Sequence, residues 1–352
     1  MERYKRQINL PQVGKTGQEK LRNSKILVIG AGGLGNAVLP YLSAAGIGHI
    51  GIIDGDKVEE NNLQRQVLFT EKSIGHSKVD MALSKLKSLN SEVDIKIYDE
   101  YFSAKNAIGI ADNYDIIIDA TDTVSIRYLI NDVCVLANKP FVYGSVYRFE
   151  GQVSVFNYKN GPTYRCLFKK KLTNVINCED AGVLGTTVGI IGLLQANEVM
   201  KMILETGEIL SGKLLLYNTL NNKQDIIKFK RDDSLVVNPE FYESEHLSNE
   251  IIHLTAKEAI KNDSHLMDVR ELGELPEIES EKILKIPLSQ LSSSLNQLTK
   301  DRPYAIFCQH GIRSLTATKL LKNNGFIKVK NIQDGALVIK KILENEKEKS
   351  IY

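Results

Sequence analysis

Residues 30–35 form a turn in which four of the six positions are glycine. The turn follows a short apolar run at 25–29 and opens an apolar helical pattern. Small residues at such a turn let backbone amides and the start of the helix approach a phosphate group. Asp54 ends the next apolar run, where its carboxylate could accept hydrogen bonds from a ribose. These features alone favour a nicotinamide or flavin dinucleotide. The glycines are Gly30, Gly32, Gly33 and Gly35.

A block of polar residues farther along the chain changes this interpretation. The diphosphate of a dinucleotide has little use for added cations, whereas a triphosphate needs cations such as Arg65 and Lys78 to offset its charge. A carboxylate such as Asp122 could then hold magnesium. Taken singly, Arg65 and Lys78 could be solvated surface charges, and Asp122 could cap the helix that follows it. As an ordered set these residues favour ATP.

Residues 308–314 form a second segment that could do chemistry. They follow an apolar run at 304–307 and precede a helical pattern, so the loop amides would converge at a helix start. Such a loop, with the charge of Arg313 added, stabilises a thiolate or a persulfide anion at Cys308. Cysteine-dependent phosphatases usually show His-Cys-x5-Arg, whereas Phe307 precedes the cysteine here and Arg313 comes one position early. The loop residues are Cys308, Gln309, His310, Gly311, Ile312, Arg313 and Ser314.

The elements that must position these groups alternate between strands and helices. In the first half of the chain, apolar runs alternate with helical patterns, as a doubly wound parallel sheet requires. Between residues 147 and 229, candidate antiparallel strands surround a long apolar helix at 183–204. The apolar runs of the first half lie at 25–29, 50–53, 93–97 and 115–119.

These patterns predict two α/β domains. Residues 1–232 are expected to form a Rossmann-like doubly wound sheet with an antiparallel extension. Residues 233–250 are polar, contain a proline and lack sustained periodicity, which indicates a linker. Residues 251–348 repeat the alternation on a smaller scale and predict a compact α/β module.

Composition narrows the class of protein. The chain has 352 residues, more than one hydrophobic core usually supports, and 43% of them are apolar. Its net charge of +2 leaves no strong field for nucleic acid or an anionic membrane. The first ten residues lack the apolar core of a signal peptide, and no stretch approaches the length of a membrane span. We therefore expect a cytoplasmic protein with neither nucleic-acid nor membrane partners.

The four cysteines are too few and too scattered for a disulfide framework. Cys134 lies in an apolar-faced helical pattern and is expected in the core, and Cys166 is expected to be a small buried hydrophobe. Cys178 lies just before the long apolar helix, whose N-terminus would lower the pKa of its thiol. His310 could tune Cys308 or simply face solvent.

Five ordered segments of the first half resemble the MoeB/ThiF branch of the ubiquitin-activating superfamily. The resemblance implies an adenylyltransferase that acts on the terminal glycine of a ubiquitin-like sulfur carrier of the MoaD or ThiS type. It also implies that Asp54 binds ribose and Gly33 lies against the nucleotide, and that Asp122 coordinates magnesium. The phosphates would be handled by Asn62, Arg65 and Lys78, and Asp56 and Gln66 of the same motif join the cofactor-binding set. The segments are RYKRQ at 3–7, GAGGLG at 30–35, DGDKVEENNLQRQ at 54–66, GHSK at 75–78 and DATD at 119–122.

The same resemblance bears on assembly, metal and thiols. Arg6 matches an arginine that family members insert into the site of a partner subunit, which implies a homodimer. Relatives commonly hold structural zinc with two Cys-x-x-Cys pairs, but Thr163 stands here where the first cysteine would be, and no cysteine occurs between 179 and 307. We therefore expect no zinc. Cys178 matches the cysteine that attacks the adenylate, or joins a later disulfide exchange, in some members, and a structural role remains equally open.

The Cys308 loop resembles that of a single-domain rhodanese. Asp268-Val269-Arg270-Glu271 and Ile286-Pro287-Leu288 occur in the order found in such domains. Together the two resemblances imply that Cys308 receives sulfur from an upstream persulfide donor and transfers it to the adenylated carrier, giving a thiocarboxylate for molybdopterin or thiamine biosynthesis. Two alternatives stay open: an oxidoreductase that uses the glycine turn for a dinucleotide, and a noncatalytic regulator whose rhodanese module only docks partners.

Overall fold

The chain forms two compact units, residues 1–242 and 243–352, in a computed structural model. The structure describes residues 2–169, 182–247, 251–261, 264–278, 280 and 283–349. Cys178 and part of the predicted linker lie outside these residues.

The first unit is built on an eight-stranded sheet with the order β3-β2-β1-β4-β5-β6-β7-β8. Strands β1 to β5 are parallel, and β6 to β8 continue the sheet in antiparallel fashion. The predicted doubly wound α/β sheet with an antiparallel extension is thereby confirmed. The strands are β1 Lys25–Ile29, β2 His49–Ile53, β3 Asp94–Tyr98, β4 Ile116–Asp119, β5 Phe141–Tyr147, β6 Glu150–Phe156, β7 Lys213–Asn218 and β8 Lys223–Lys228.

The order of the strands decides where a ligand can bind. Strand β1 pairs with β2 on one side and with β4 on the other. The connections that leave β1 and β4 therefore run to opposite faces of the sheet, and a crevice opens beyond their carboxyl ends. The glycine turn follows β1, and the DATD segment begins at the end of β4. Both sequence motifs thus meet at this crevice.

Helices cover the sheet of the first unit. The longest, α8 (Gly185–Leu204), packs against α3, β5 and β6. By length and composition it could cross a membrane, which corrects our expectation that no stretch approaches that length; half of its apolar window is buried within the unit, as in a core helix. The helices are α1 Lys5–Ile8, α2 Gly14–Asn23, α3 Gly33–Ala45, α4 Lys78–Leu89, α5 Ala107–Ala111, α6 Val124–Leu136, α7 Tyr164–Leu167, α8 Gly185–Leu204 and α9 Pro239–Tyr242.

The first unit extends beyond residue 232. Within the stretch predicted to be a linker, helix α9 ends at Tyr242, which is 3% exposed. The Tyr242 hydroxyl donates to the carbonyl oxygen of Ala104 at 2.9 Å. Residues 239–242 are therefore packed on the first unit, and a short π-helical turn, Glu243–Leu247, follows.

The second unit contains a five-stranded parallel sheet with the order β11-β10-β12-β13-β9. Its core has two clusters, which include Phe307 on one face of β12 and Tyr304 and Ile306 on the other. Helix α12 begins at Ile312, so the last three residues of the Cys308 loop form its first turn, and the helix packs on β12 and β13. The elements are β9 Ile252–Leu254, α10 Ala256–Lys261, β10 His265–Asp268, β11 Ile283–Lys285, α11 Leu288–Leu291, β12 Tyr304–Phe307, α12 Ile312–Asn323, β13 Val329–Ile332 and α13 Ala336–Lys349.

Candidate functional site

The glycine turn brings the ends of β1 and β4 into contact. Gly30 has φ +99°, and a Cβ there would lie 2.7 Å from the carbonyl oxygen of Ala120. A Cβ on Gly35 would lie 2.2 Å from the carbonyl oxygen of Gly30. Both approaches exclude any side chain, so the turn can close only with glycine at these positions. Helix α3 begins at Gly33, which leaves its first amides at the crevice.

Asp54 is tied to the glycine turn by backbone amides. Its Oδ2 accepts from the Ala31 amide at 2.7 Å, and its Oδ1 accepts from the Asp56 amide at 2.8 Å. Burial raises the pKa of Asp54, while Lys78 and the two amides act in the opposite direction. The carboxylate is thus held beside the turn, where a ribose hydroxyl could reach its remaining lone pairs.

Lys78 closes the same network from the start of α4. Its Nζ lies 2.8 Å from Oδ2 of Asp56, and only 6% of Lys78 is exposed. The Tyr101 hydroxyl donates to the other Asp56 oxygen at 2.7 Å. Burial acts to raise the pKa of Asp56, but these two donors outweigh it and the pKa lies below its usual range. Lys78 is therefore a buried, paired cation, and the solvated-charge alternative does not describe it.

Arg65 and Gln66 line the other side of the turn. A Cβ on Gly33 would lie 3.5 Å from Cγ of Arg65, so the arginine stem runs along the turn. The guanidinium donates to the Asn61 carbonyl at 3.0 Å. Gln66 is 3% exposed, and within the described ranges its Oε1 has no hydrogen-bond partner. Both side chains thus lie beside the crevice, and the Oε1 atom of Gln66 could accept a hydrogen bond from a ligand there.

Asn62 is engaged within its own loop. Its Oδ1 accepts from the Glu59 amide at 3.2 Å, and its Nδ2 donates to the Asn61 side chain at 2.6 Å. The side chain therefore closes the 3-10 turn Glu60–Asn62. A phosphate could engage Asn62 only by replacing one of these hydrogen bonds.

Asp119 and Asp122 have opposite environments at the end of β4. Asp122 is exposed and accepts from the Thr123 hydroxyl at 3.2 Å. Thr123, not Asp122, is the residue that precedes α6 as its N-cap, so the capping alternative does not hold. Asp119 is fully buried, accepts from the Thr121 hydroxyl at 2.7 Å and lies 3.6 Å from Nε of Arg127. Burial raises the pKa of Asp119, and the Arg127 charge opposes that rise.

The residues at the crevice fit a nucleotide-bound magnesium ion. No group of three or more histidine, cysteine, aspartate or glutamate residues suited to a metal occurs in the part of the chain that the structure describes. Magnesium usually binds through one or two carboxylates together with phosphates and water, so the single exposed carboxylate of Asp122 suffices for this mode. Ala120 lies against Gly30 of the turn, and Asp122 is two residues farther along the chain.

The Cys308 loop in the second unit forms an anion cradle. The Gly311 amide donates to Sγ of Cys308 at 3.1 Å. Burial acts to raise the pKa of the thiol, but donors from Ser314, His310 and Gly311 outweigh it, so the pKa of Cys308 lies below its ordinary value. Gly311 has φ +85°, and a Cβ there would meet the Gln333 carbonyl oxygen at 2.9 Å. The loop is thus folded to stabilise a thiolate or a persulfide.

Two arginines flank this loop, and each is paired with a carboxylate. Arg270 is buried, lies 2.7 Å from Asp268 and donates to the Gln309 side chain at 3.3 Å. Arg313 makes a two-point contact with Glu274, in which Nη2 and Oε2 are 2.7 Å apart. Arg270 therefore contacts the loop through Gln309, and Arg313 is ion-paired with Glu274.

The remaining candidate residues from the sequence are three cysteines, an arginine and a histidine, and they differ in burial. Cys134 and Cys166 are buried, as expected, and burial raises the pKa of Cys134 well above its ordinary value. Sγ of Cys166 lies 3.3 Å from the Asp232 amide. Arg6 and His310 are exposed, so the role of Arg6 in a partner subunit stays a prediction. Cys178 lies outside the described residues.

Sequence reasoning missed several residues that order the sites. Gln195 on α8 donates to the Asp119 carbonyl oxygen at 2.7 Å and so ties the end of β4 to the long helix. Tyr101 completes the Asp56 network, Arg127 balances Asp119 and Glu274 contacts Arg313. A glutamine in the middle of a mainly apolar helical pattern was a usable signal for Gln195, whereas the sequence holds no local signal for Tyr101 or Glu274.

Comparison with known proteins gives relatives for nearly the whole chain. An adenylyltransferase and sulfurtransferase MOCS3 of Culex quinquefasciatus is 50% identical over 218 residues, which are 61% of this chain and 50% of that protein. The chain thus spans about half the length of this relative. A probable molybdopterin-synthase adenylyltransferase of Porphyra purpurea is 38% identical over 98% of this chain and 94% of its own length. The MOCS3 protein of Arabidopsis thaliana is 37% identical over 95% and 82%, respectively.

Solved structures and a family model add to this. The crystal structure of E. coli MccB matches with a TM-score of 0.60 at 24% identity, and the match covers 67% of this chain and 71% of the MccB chain. This similarity shows that the two proteins share a fold. The model of the ThiF family matches residues 4–236. The predicted MoeB/ThiF resemblance is confirmed, and the chain belongs to the ThiF family.

Proposed function

We propose that this chain uses ATP to adenylate the C-terminal glycine of a ubiquitin-like sulfur-carrier protein of the MoaD or ThiS type, and that Cys308 supplies sulfur to the activated carrier. The observation that carries the first part is the network that joins Ala31, Asp54, Asp56 and Lys78 at the carboxyl ends of the parallel strands. It combines a ribose acceptor, a phosphate-binding turn and a buried cation. The names of the relatives favour the carrier of molybdopterin biosynthesis.

The first step is carboxyl activation. The terminal carboxylate of the carrier attacks the α-phosphorus of ATP, and pyrophosphate leaves, giving an acyl-adenylate. The chain contributes position and charge: the amides after β1, together with Arg65 and Lys78, offset the phosphate charge, and Asp54 holds the ribose. Asp122 would hold magnesium, which when bound neutralises phosphate charge.

The second step is sulfur transfer. A persulfide on Cys308, formed from an upstream persulfide donor, attacks the carrier acyl carbon and displaces AMP. A second thiol then attacks Sγ of Cys308 in the resulting acyl disulfide; the S–S bond breaks, the thiocarboxylate leaves with the electron pair, and Cys308 is left in a disulfide with that thiol. Supplying both modules in one chain raises the local concentration of the sulfur donor. The proposal includes a cytoplasmic homodimer in which Arg6 of one protomer completes the site of the other, with neither nucleic-acid nor membrane partners and no structural zinc.

The test is the mass of the carrier after incubation with the enzyme, Mg-ATP and a persulfide source. We expect conversion of the terminal carboxylate to a thiocarboxylate with a MoaD-type carrier, and a ThiS-type carrier serves as the comparison. Cys308→Ser should retain carrier-dependent ATP–pyrophosphate exchange but lose thiocarboxylate formation and thiosulfate:cyanide sulfurtransfer. Cys166→Ser, the same change at a buried thiol, is the matched control and should retain all three activities. Sulfurtransfer that persists in Cys308→Ser would remove this thiol from the mechanism.

A further inference from the structure

Arg313 is the cationic side chain of the Cys308 loop, and its guanidinium is ion-paired with the carboxylate of Glu274. Glu274 lies 39 positions away in sequence and contacts both terminal nitrogens of the guanidinium. The two side chains are 34% and 30% exposed, so an incoming donor could reach the pair. The hydrogen bond from Arg313 lowers the pKa of Glu274 to about 2, so the carboxylate stays charged at neutral pH. A small anion that sought Arg313 would have to compete with this carboxylate.

Hydrogen bonds within the loop stabilise the thiolate more than the charge of Arg313 does, although that charge also acts on the sulfur. The main groups that lower the pKa of Cys308 are the hydroxyl of Ser314 and the amides of Ser314, His310 and Gly311. The other nearby guanidinium, that of Arg270, is held in a buried pair with Asp268. The loop therefore stabilises a sulfur anion with dipoles, and it offers little uncompensated positive charge to a substrate.

Exposed apolar side chains lie close to the Glu274–Arg313 pair in sequence. Leu275 and Ile312 are the sequence neighbours of the two charged residues and are 77% and 75% exposed, and Leu272 is 74% exposed. The charge of Glu271 also acts on Arg313, so the pair lies among a carboxylate and apolar side chains. Large apolar side chains with this exposure suit contact with an organic or protein surface rather than with a hydrated inorganic anion.

We propose that Glu274 is a specificity-determining residue that disfavours small dianionic sulfur donors such as thiosulfate at Cys308 and leaves the loop selective for thiol persulfides. The inference rests on the sulfur-transfer half of the proposed function. Glu274 acts in two ways. It neutralises the cation that a sulfonate-like group would bind, and it adds a negative charge that repels a dianion.

The two donors load Cys308 by the same kind of step but carry different charges. With thiosulfate, the Cys308 thiolate attacks the outer sulfur, the S–S bond breaks, and sulfite leaves with the electron pair. With a thiol persulfide, the thiolate attacks the terminal sulfur, and the donor thiolate leaves. Each reaction forms one S–S bond and breaks one, so no external oxidant or reductant is needed. Thiosulfate brings two negative charges to the Glu274–Arg313 pair, whereas a persulfide such as that of cysteamine, whose ammonium group offsets the persulfide anion, brings no net charge.

The experiment compares Glu274→Gln with the wild-type chain for two donors, thiosulfate and cysteamine persulfide, with cyanide as the acceptor. Glutamine keeps an acceptor for the Glu271 amide, which Glu274 binds at 2.8 Å, while it removes the charge. We expect kcat/KM for thiosulfate to rise at least about tenfold, mainly through a lower KM, and kcat/KM for cysteamine persulfide to stay within about twofold. Asp301→Asn, which removes one exposed carboxylate from the same unit, is the matched control and should change neither value.

A second variant distinguishes two explanations of a gain for thiosulfate: removal of the Glu274 charge, or a loosened loop. In Glu274→Gln/Arg313→Ala the gain for thiosulfate should disappear, because the cation that binds the dianion is gone. An unchanged thiosulfate value in Glu274→Gln, or a fall for both donors, would overturn the specificity role while leaving the sulfurtransferase intact. If the wild-type chain accepts sulfur from neither donor, the sulfur-transfer half of the proposed function fails and this inference fails with it. ATP–pyrophosphate exchange reports the adenylation half independently.

Discussion

The nucleotide crevice of the first unit and the Cys308 loop of the second have the same local architecture, but their functional residues come from different distances along the chain. Each is a turn that leaves a parallel strand and opens a helix. The Cys308 loop takes its reactive thiol and the main donors to it from seven consecutive residues. The crevice joins groups far apart in the chain, such as Ala31 to Asp54 and Asp56 to Lys78. A sequence motif therefore describes the loop almost completely but names only some of the parts of the crevice.

The two sites also use charge differently. The crevice holds carboxylates whose pKa values shift in opposite directions: burial raises the pKa of Asp54, and Lys78 helps to lower that of Asp56. The loop lowers the pKa of a thiol mainly with a hydroxyl and backbone amides. Removing one side chain should accordingly do much more damage in the crevice than in the loop, provided that the thiol itself is kept.

The largest effect is expected for Asp122→Ala in the crevice. Because Asp122 is exposed and supports no helix cap, the fold should persist, while carrier-dependent ATP–pyrophosphate exchange falls by at least about 100-fold through loss of transition-state charge stabilisation. Asp112→Ala, another exposed aspartate of the same unit, is the control. Normal exchange in Asp122→Ala, with magnesium present, would reject the proposed magnesium role.

An intermediate effect is expected for Lys78→Met. The change keeps the length of the buried side chain but removes the partner of Asp56, so KM for ATP should rise about tenfold. Lys78 lowers the pKa of both Asp54 and Asp56, and without it both pKa values should rise. Because both carboxylates would then bind protons at higher pH, the acidic limb of the exchange profile should move to higher pH.

Lys85→Met provides the matched control for that variant, since Lys85 is an exposed lysine on the same helix, α4. It should leave both KM and the pH profile unchanged. An unshifted acidic limb in Lys78→Met would mean that Asp54 and Asp56 do not act in the step that exchange measures, and the crevice would lose its central network.

The smallest effect is expected for Ser314→Ala in the loop. The Ser314 hydroxyl has one proton and lies within reach of both the Cys308 thiolate and the Gly311 carbonyl oxygen, which is 3.0 Å away. If the proton serves the thiolate, its loss should move the midpoint of Cys308 alkylation by iodoacetamide modestly upward, while the amide donors remain. Mass spectrometry across a pH series measures this midpoint, and an unmoved midpoint would assign the hydroxyl to the carbonyl.

Much of the fold could be predicted because local composition decides it. The run at 25–29 became β1, the run at 50–53 became β2, and the long apolar pattern at 183–204 became α8. Strands β5, β9 and β13 were not predicted. Strand β9 is only three residues long, and Lys330 and Asn331 interrupt the apolar pattern of β13. The domain boundaries stay predictions, although α9 shows that residues assigned to the linker pack on the first unit.

By itself, the sequence determined the α/β alternation, the glycine turn and the Cys308 loop, because each depends on residues that are neighbours in the chain. Three contacts were decided only by the tertiary structure. Lys78 is buried against Asp56, Gln195 hydrogen-bonds to Asp119, which is 76 positions away in sequence, and Glu274 is ion-paired with Arg313. Apolar periodicity indicates which face of an element is buried. It does not say which distant polar group that face will meet, because the packing of helices on the sheet selects the partner.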